Sequence, residues 1–361
     1  MTILWINLGL VFIFSYISRI RLVPSWATTQ TVSSVKPNKV WVCGVLFCLV
    51  VVSGLRSGLG DTETYKQIYS TYDFTWEYVF SDKDIGFGVF QMILKNFSED
   101  PQILIFMAAF ITNLLIIIVL YTYSRRFELS TYIYITGGTF LVSMNGIRQV
   151  LAAAIIFMGT KYLLNGQFIK YSLMVLLAST FHQSALLLLP IYFIVRIKAW
   201  TKYTFIILFV TILIVMGYNQ INPLLFAALK ETQYSIYTDF NEGGANIIRA
   251  IISAVPLLIA YAGRNKLRAV FPKSDYIVNL SLMGLVFMAI STQQWIFARV
   301  AIYFNLYQLI LISWIIEVFR KEERKFVYYM ILVFYFALYY YESVVSLDIF
   351  YESEILDKIF K

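Results

Sequence analysis

The chain has 361 residues, of which 60% are hydrophobic and 14% are charged, and its formal net charge is +8. A soluble domain carries roughly 25% charged residues, so this composition excludes a soluble enzyme and a disordered chain. It indicates an integral membrane protein, and we expect a single membrane domain over residues 1–361.

The first apolar run, residues 3–17, predicts a transmembrane helix. It does not resemble a cleavable signal peptide, because no basic residue precedes it and no small-residue cleavage site follows it. A membrane-spanning helix takes about 20 mainly apolar residues, or fewer where the ends snorkel. The segments that meet this criterion are 2–18, 40–55, 101–123, 203–221, 247–262, 276–290, 295–319 and 326–341.

Basic residues orient these segments, because connections rich in lysine and arginine stay in the cytoplasm. The basic connections are 19–39, 125–126, 161–170, 196–202, 264–273 and 320–325. The segments 56–100 and 342–361 are acidic, with eight acidic against four basic residues and five against two. Both are predicted to lie outside, as is 222–246. The positive charge therefore sets the topology, and no nucleic-acid partner is expected.

Segment 56–100 interleaves tyrosines and a tryptophan with acidic residues. This pattern predicts short amphipathic helices on the outer membrane interface, within the same domain.

Two further apolar stretches, 131–164 and 171–195, have cytoplasmic charges at both ends, so each must enter the membrane and return. We expect turns at Asn145-Gly146 and near His182. Lipid cannot satisfy the backbone groups of a turn, so these turns must line a cavity or pack inside protein. The prediction is an all-α polytopic bundle of about 10–12 membrane segments, including short half-helices or re-entrant hairpins.

The segment 276–319 also turns, at Ser291–Gln294, with Arg299 one helical turn further on. Three hairpins thus bring Arg148, His182 and Arg299 to the outer third of the membrane. Such polar groups are costly there unless a polar cavity or a charged ligand meets them. They are the leading candidates for a functional site.

Arginine offers a planar fork of donors that suits phosphate, which makes Arg56, Arg148 and Arg299 candidate phosphate ligands. The alternatives are a headgroup-level loop position for Arg56 and a salt bridge to an outer carboxylate for Arg148. Arg249 fits better as a snorkelling residue at a helix end.

His182 is the only histidine in the chain, and its neighbours Gln183 and Ser184 are polar. A neutral imidazole, with a pKa near ~6.5, can accept a proton from a sugar hydroxyl. The alternative is a hydrogen-bonded structural histidine. Asp61 and Glu63 are competing acid–base groups; alternatively they form a solvated loop face. If Arg148 forms a salt bridge instead of binding phosphate, Asp61 or Glu63 is an example of the outer carboxylate with which it would pair.

Several common nucleotide-binding and metal-binding motifs are absent from the sequence, which limits the kinds of reaction it can support. The sequence has no GxxxxGK[ST], no GxGxxG and no Cys/His cluster, and a single histidine excludes a multi-histidine metal centre. No cofactor and no metal are expected. The cytoplasmic connections are short and basic, so the reaction is expected outside, on a lipid-borne, pre-activated substrate.

Four stretches resemble one known family. They are SGLR…GDTETY (53–65), NGIRQVLAAAI (145–155), YSLMVLLASTFHQSALLLLPIYFI (171–194) and IFARVAIYF (296–304). In order and spacing, over nearly the whole chain, they resemble the EpsG-like family of Wzy-type exopolysaccharide polymerases. The family usually has Gly-Thr-Asp where this chain has Gly60-Asp61-Thr62.

The resemblance implies a GT-C-like membrane glycosyltransferase in the bacterial cytoplasmic membrane, with an outward-facing cavity. Such an enzyme is expected to transfer a growing chain from undecaprenyl diphosphate to a lipid-linked acceptor sugar, with inversion, as in capsule or biofilm synthesis. No metal is needed if arginines neutralise the leaving diphosphate. Undecaprenyl diphosphate-linked oligosaccharide and membrane lipid are the implied partners, together with chain-length and export proteins.

In this assignment Arg148 and Arg299 hold the diphosphate, Arg56 assists, and His182 is the general base. His182 and Arg148 are thus the candidate catalytic residues. The candidate substrate-binding residues are Arg56, Asp61, Glu63, Asn145, Gln149, Ser184 and Arg299.

Other functional classes remain open. A flippase of lipid-linked oligosaccharide is expected to show charged sites at both faces and a two-fold repeat, and neither is evident. A membrane O-acyltransferase would place its histidine near the inner face. A non-catalytic component of a polysaccharide assembly complex is the third alternative.

Overall fold

The computed structural model describes residues 1–20, 36–229 and 243–360. Parts of the predicted connections 19–39 and 222–246 therefore lie outside the described residues. The described chain is helical throughout, and its only β-type pairing is one isolated bridge between Gly58 and Glu352.

The α-helices, in chain order, are α1 (Thr2–Arg19), α2 (Lys39–Gly54), α3 (Thr62–Thr71), α4 (Trp76–Ser81), α5 (Ile85–Lys95), α6 (Gln102–Tyr123), α7 (Phe127–Thr136), α8 (Thr139–Asn145), α9 (Ile147–Met158), α10 (Thr160–Leu164), α11 (Phe168–Phe181), α12 (Leu188–Val195), α13 (Lys202–Met216), α14 (Tyr218–Leu229), α15 (Ile247–Ala262), α16 (Arg264–Val270), α17 (Ser274–Ser291), α18 (Ile296–Ile315), α19 (Arg324–Tyr340) and α20 (Glu354–Phe360). Within the described ranges, two 3₁₀ helices (Gln183–Leu187 and Ile316–Val318) and one π-helix (Tyr341–Ser346) join some of them.

Four helical segments of the described chain are long and apolar enough to cross a membrane: Gln102–Tyr123, Ser274–Ser291, Ile296–Val318 and Arg324–Ser346. The pair α15–α16, bent by 81°, is a fifth if counted as one span. The described chain also has seven apolar helices of 10–17 residues, which are too short to count as spans by this criterion. The number of 10–12 membrane segments stays a prediction. The predicted all-α polytopic membrane bundle is confirmed.

Local chemistry explains several helix boundaries. The Asn38 side chain accepts a hydrogen bond from the Val40 amide, and Asn246 does the same for Ile248, so asparagine caps begin α2 and α15. Gly138, with φ of 80°, separates α7 from α8. The apolar stretch 131–164 is therefore broken at Gly138 as well as at the predicted turn, Asn145-Gly146.

Interactions between connections define one end of the bundle. Arg19 pairs with Glu128, which joins α1 to α7. The Lys273 ammonium donates to Asn165 Oδ1 at 2.6 Å. We call this the basic end; it carries Arg19, Arg126, Arg196, Arg268 and Arg324. The opposite end, with residues 56–100 and 349–358, is the acidic end.

The stretch from α11 to α12 is a hairpin whose two legs return to the basic end. Arg196 Nη1 donates to the Leu163 carbonyl at 2.6 Å, and the Phe168 ring lies 5.0 Å from the Tyr192 ring. His182, with an extended backbone, forms its tip. The predicted turns at Asn145-Gly146 and Ser291–Gln294 are also present, between α8 and α9 and between α17 and α18.

α18 is the central helix of the bundle. It packs on α6, α7, α9, α15 and α17, and most of its side chains are buried. Around the acidic end, α3, α4 and α5 provide the short helices predicted in 56–100 and enclose a second, smaller core. The C-terminal stretch lies across this end, where the Ser57 amide donates to the Glu352 carbonyl at 2.9 Å. These contacts bring three distant parts of the chain to one place.

Candidate functional site

Arg148 lies in the first turn of α9 and contacts two carboxylates. Its Nη1 is 3.2 Å from Asp82 Oδ2 and 3.3 Å from Asp84 Oδ2. The salt bridge to an outer carboxylate, the alternative considered for Arg148, is therefore present, with Asp82 and Asp84 in place of Asp61 or Glu63. The actual partners belong to the connection between α4 and α5.

Aromatic rings flank the same guanidinium. Its central carbon lies 5.7 Å from the centroid of the Tyr65 ring and 5.3 Å from that of Phe87. Cation–π contacts and the two carboxylates together fix the orientation of Arg148.

Asp84 also holds the tip of the hairpin that carries His182. Its side chain is buried, and Oδ1 accepts a hydrogen bond from the Gln183 amide at 3.1 Å. Burial raises the pKa of the Asp84 carboxyl, and the Arg148 guanidinium partly opposes this effect. One carboxylate thus couples the position of Arg148 to that of His182.

His182 occupies the turn between α11 and the following 3₁₀ helix, outside every membrane-spanning helix. Its Nδ1 is 2.9 Å from Ser184 Oγ, which is in turn 2.8 Å from the Tyr303 hydroxyl. Burial, reinforced by the Arg148 and Arg299 cations, lowers the pKa of His182 to about 4. The imidazole is therefore neutral at pH 7.

A cavity of about 330 Å³ lies at the acidic end beside this cluster. Its polar and charged lining consists of Thr139, Asn145, Gln149, Arg249, Ser253, Arg299, Asn305, Gln308, Glu342 and Ser343. Gln149 lines the cavity, whereas Arg148 does not, because successive residues of an α-helix point about 100° apart. Arg148 thus lies on the neighbouring face of α9.

Arg299 joins the cavity to the His182 cluster. It lines the cavity from the first turns of α18, its carbonyl accepts from Gln149 Nε2 at 2.8 Å, and its guanidinium lies 5.3 Å from the Trp295 ring. Since Arg148 and Arg299 both lower the pKa of His182, the imidazole lies within the field of both cations. The three residues predicted from the hairpins are brought together.

Asn145 connects the cavity to the loop before α3. Its Oδ1 accepts from the Asp61 amide at 3.0 Å. The preceding residue, Gly60, has φ of 54°, and a Cβ there would collide with the Asn145 side chain. Gly60 is therefore required by both its backbone conformation and this close approach.

We expect Gly60→Ala to destabilise the protein by about 1–2 kcal/mol or more, because alanine disfavours positive φ and would displace Asn145. Thermal unfolding of the purified protein in detergent measures the effect. Gly9→Ala is the matched control, because a Cβ there meets nothing within 4 Å. Equal unfolding temperatures for the two variants would contradict the assigned role of Gly60.

Of the nine predicted site residues, three line the cavity (Asn145, Gln149 and Arg299) and six do not (Arg56, Asp61, Glu63, Arg148, His182 and Ser184). Arg56 is 1% exposed; its Nε donates to Thr62 Oγ1 and its Nη2 to the Met144 carbonyl, both at 2.9 Å. It ties the end of α2 to α3 and α8. Glu63 lines a separate acidic groove that also contains Glu352.

Several neighbours of the site had no prediction attached to them. The sequence offers one signal for Asp84: it directly precedes the apolar run of α5, a position typical of a helix cap. The contacts of Asp82, Tyr303 and Glu342 depend on tertiary packing and leave no comparable pattern in the sequence.

The model of the EpsG family matches residues 39–356, from the start of α2 into α20. The match contains all the site residues described above. Neither a curated protein nor a solved structure matches the chain. Because the family match covers well over half of the sequence, the chain belongs to the EpsG family.

Proposed function

We propose that this protein polymerises lipid-linked saccharide units at the acidic end of the bundle, which faces the outside of the bacterial cytoplasmic membrane. Membership of the EpsG family supports a polysaccharide polymerase-like role in general. The observation that carries the specific chemistry is the position of His182 in the field of Arg148 and Arg299, beside a cavity that Arg299 lines and that is charged at one end.

The proposed reaction transfers a glycosyl chain between two lipid-linked molecules. A hydroxyl of the acceptor sugar attacks the anomeric carbon of the donor, whose bond to the polyprenyl diphosphate oxygen breaks. The hydroxyl proton passes to His182, and the electron pair stays on the diphosphate. Arg148 and Arg299 stabilise this developing charge, so no metal is required. A single displacement inverts the anomeric configuration.

The hydrogen-bond chain from His182 to Tyr303 fits this role. If Nδ1 donates to Ser184 Oγ and the serine hydroxyl donates to Tyr303, Nε2 is the basic nitrogen. A pKa of about 4 makes a weak base, but a bound diphosphate neutralises the two arginines that help to depress it. The substrate thereby raises the pKa of its own base towards the working pH.

The remaining predicted residues have different roles in this proposal. Asn145 and Gln149 line the cavity and supply amide groups for sugar hydroxyls. Arg56 acts as a positioning residue, since its donors hold Thr62 and the Met144 carbonyl next to Asn145. The cavity volume is near the lower limit of ligand sites, about 300–1,000 Å³, which suits a sugar diphosphate better than a whole repeat unit.

Incubating the purified protein with a polyprenyl diphosphate-linked oligosaccharide alone tests the proposal. We expect a ladder of products on a gel, formed equally well in the presence of EDTA. A flippase or a non-catalytic assembly factor leaves the substrate at its original length. Loss of the ladder in EDTA with recovery on adding Mg²⁺ would instead contradict metal independence.

The orientation of the site has its own test. In a background of Cys43→Ser and Cys48→Ala, Gln183→Cys, at an exposed position next to His182, should react with a membrane-impermeant maleimide added outside intact cells. Lys198→Cys, exposed near the basic end, should stay unlabelled until the cells are opened. The reverse labelling pattern would place the site in the cytosol.

A further inference from the structure

The cavity has a charged half and an apolar half. Arg249, Arg299 and Glu342 lie at the acidic end, while Ile133, Leu309 and Ile312 lie deeper in the bundle. Its lining on α18 runs from Trp295 to Ile312. At 1.5 Å per residue this is about 25 Å, most of the thickness of a hydrocarbon core. The long, narrow shape with one charged end matches a lipid with a charged headgroup.

α15 and α19 line two sides of the cavity, and we call the boundary between them the seam. α15 packs on α17 and α18, and α19 packs on α7, whereas α15 and α19 make little direct contact with each other. Both nevertheless line the cavity, through Ile252 and Ser253 on one side and Tyr335 and Leu338 on the other. Among the described residues, the outward faces of both helices are exposed and apolar, so the seam between them opens on an apolar surface suited to lipid.

One ion pair bridges the seam at its charged end. Arg249 Nε, in the first turn of α15, lies 2.8 Å from Glu342 Oε1. Glu342 belongs to the π-helix that continues α19, and π-helical turns are frequent at functional sites. The carboxylate therefore occupies the position that an anionic headgroup would take on Arg249.

We propose that this cavity is the groove for a polyprenyl diphosphate, that the lipid enters sideways between α15 and α19, and that Glu342 closes the seam by occupying Arg249 until a diphosphate replaces it. The inference rests on the proposed function and adds the path and position of its lipid substrate. The headgroup binds Arg249 and Arg299 in the cavity, and Arg148, which does not line the cavity, acts on the diphosphate through its charge. The isoprenoid tail follows the apolar half and leaves through the seam.

The charges of the groups involved support the replacement of Glu342 by a diphosphate on Arg249. A sugar-linked diphosphate carries two negative charges and satisfies both guanidinium groups once Glu342 turns away. A diphosphate also has more acceptor oxygens than a carboxylate, so it binds two arginines at once.

Calorimetric titration of the detergent-solubilised protein with farnesyl diphosphate tests the groove, with inorganic pyrophosphate as the tail-free probe. We expect farnesyl diphosphate to bind at least about tenfold more tightly, because only it fills the apolar half. Arg249→Gln should weaken its binding by about tenfold, and Glu342→Gln, which keeps the shape but removes the competing charge, should tighten it. Arg264→Gln is the control, since that arginine lies near the basic end on α16.

Each outcome separates the groove from the reaction. Equal affinity for the two probes, or unchanged affinity in Arg249→Gln, would overturn the groove even if the wild-type protein still forms a ladder. The expected affinities without any ladder would support the groove and remove the polymerase reaction. Elution of each variant at the wild-type volume in size-exclusion chromatography establishes that it is folded.

Discussion

Arg148→Lys should lower polymer formation by about 100-fold or more, although the protein still inserts into the membrane. Nη1 alone contacts Asp82 and Asp84, and an ammonium could replace those two contacts. As a point charge it does not supply the further donors of the guanidinium, which the proposed reaction needs for the diphosphate. Complementation of a polymer-deficient strain, with the amount of protein in the membrane measured in parallel, gives the result.

Arg125→Lys is the matched control for this variant. Arg125 pairs with Glu317 near the basic end, 3.9 Å away, and takes no part in the proposed reaction. It should support normal polymer. Near-normal chains from Arg148→Lys would remove Arg148 from the site and leave its contact with the two aspartates as a structural ion pair.

His182→Gln should reduce the turnover rate by at least about 100-fold, the usual contribution of a general base. The pH dependence gives a sharper test in the wild-type protein. A base must be neutral to act, so activity falls as the pH drops through its pKa. The acid limb of kcat/KM, which reports the free protein, should lie near the pKa of about 4, and the acid limb of kcat should lie at higher pH.

The shift between the two limbs is expected because substrate diphosphate neutralises Arg148 and Arg299, whose charges help to hold the pKa down. Both limbs should disappear in His182→Gln. Gln183→Ala, at an exposed neighbouring position, should keep the wild-type profile. If His182→Gln retains the rate and the same pH dependence, the histidine is a structural partner of Ser184.

The hairpin at His182 illustrates how much the sequence predicts in this protein. Apolar stretches bounded by cations at both ends must turn inside the membrane, and polar residues there have few places to lie. For this reason Arg148, His182 and Arg299 were identifiable as a group before their contacts were known. The same reasoning explains the all-α bundle and the turn at Asn145-Gly146.

Arg56 illustrates the opposite case. Its fork suits phosphate as well as that of Arg148 does, yet it is buried against Thr62 and Met144. Nothing in the sequence shows that Arg299 lines the cavity whereas Arg56 and Arg148 do not, because the rotation of each helix and the groups that neighbouring elements present decide which guanidinium faces it. For the same reason the partners of Arg148 are Asp82 and Asp84 in place of Asp61 or Glu63.

Hydropathy and charge alone thus determined the membrane class, the hairpins and the polar residues at their tips, because lipid allows a chain few ways to bury its backbone groups. Only the tertiary structure decided that Asp84 joins Arg148 to the hairpin tip and that Glu342 covers Arg249. These contacts connect residues 64 to 99 positions apart, and they depend on side-chain directions that local sequence does not encode.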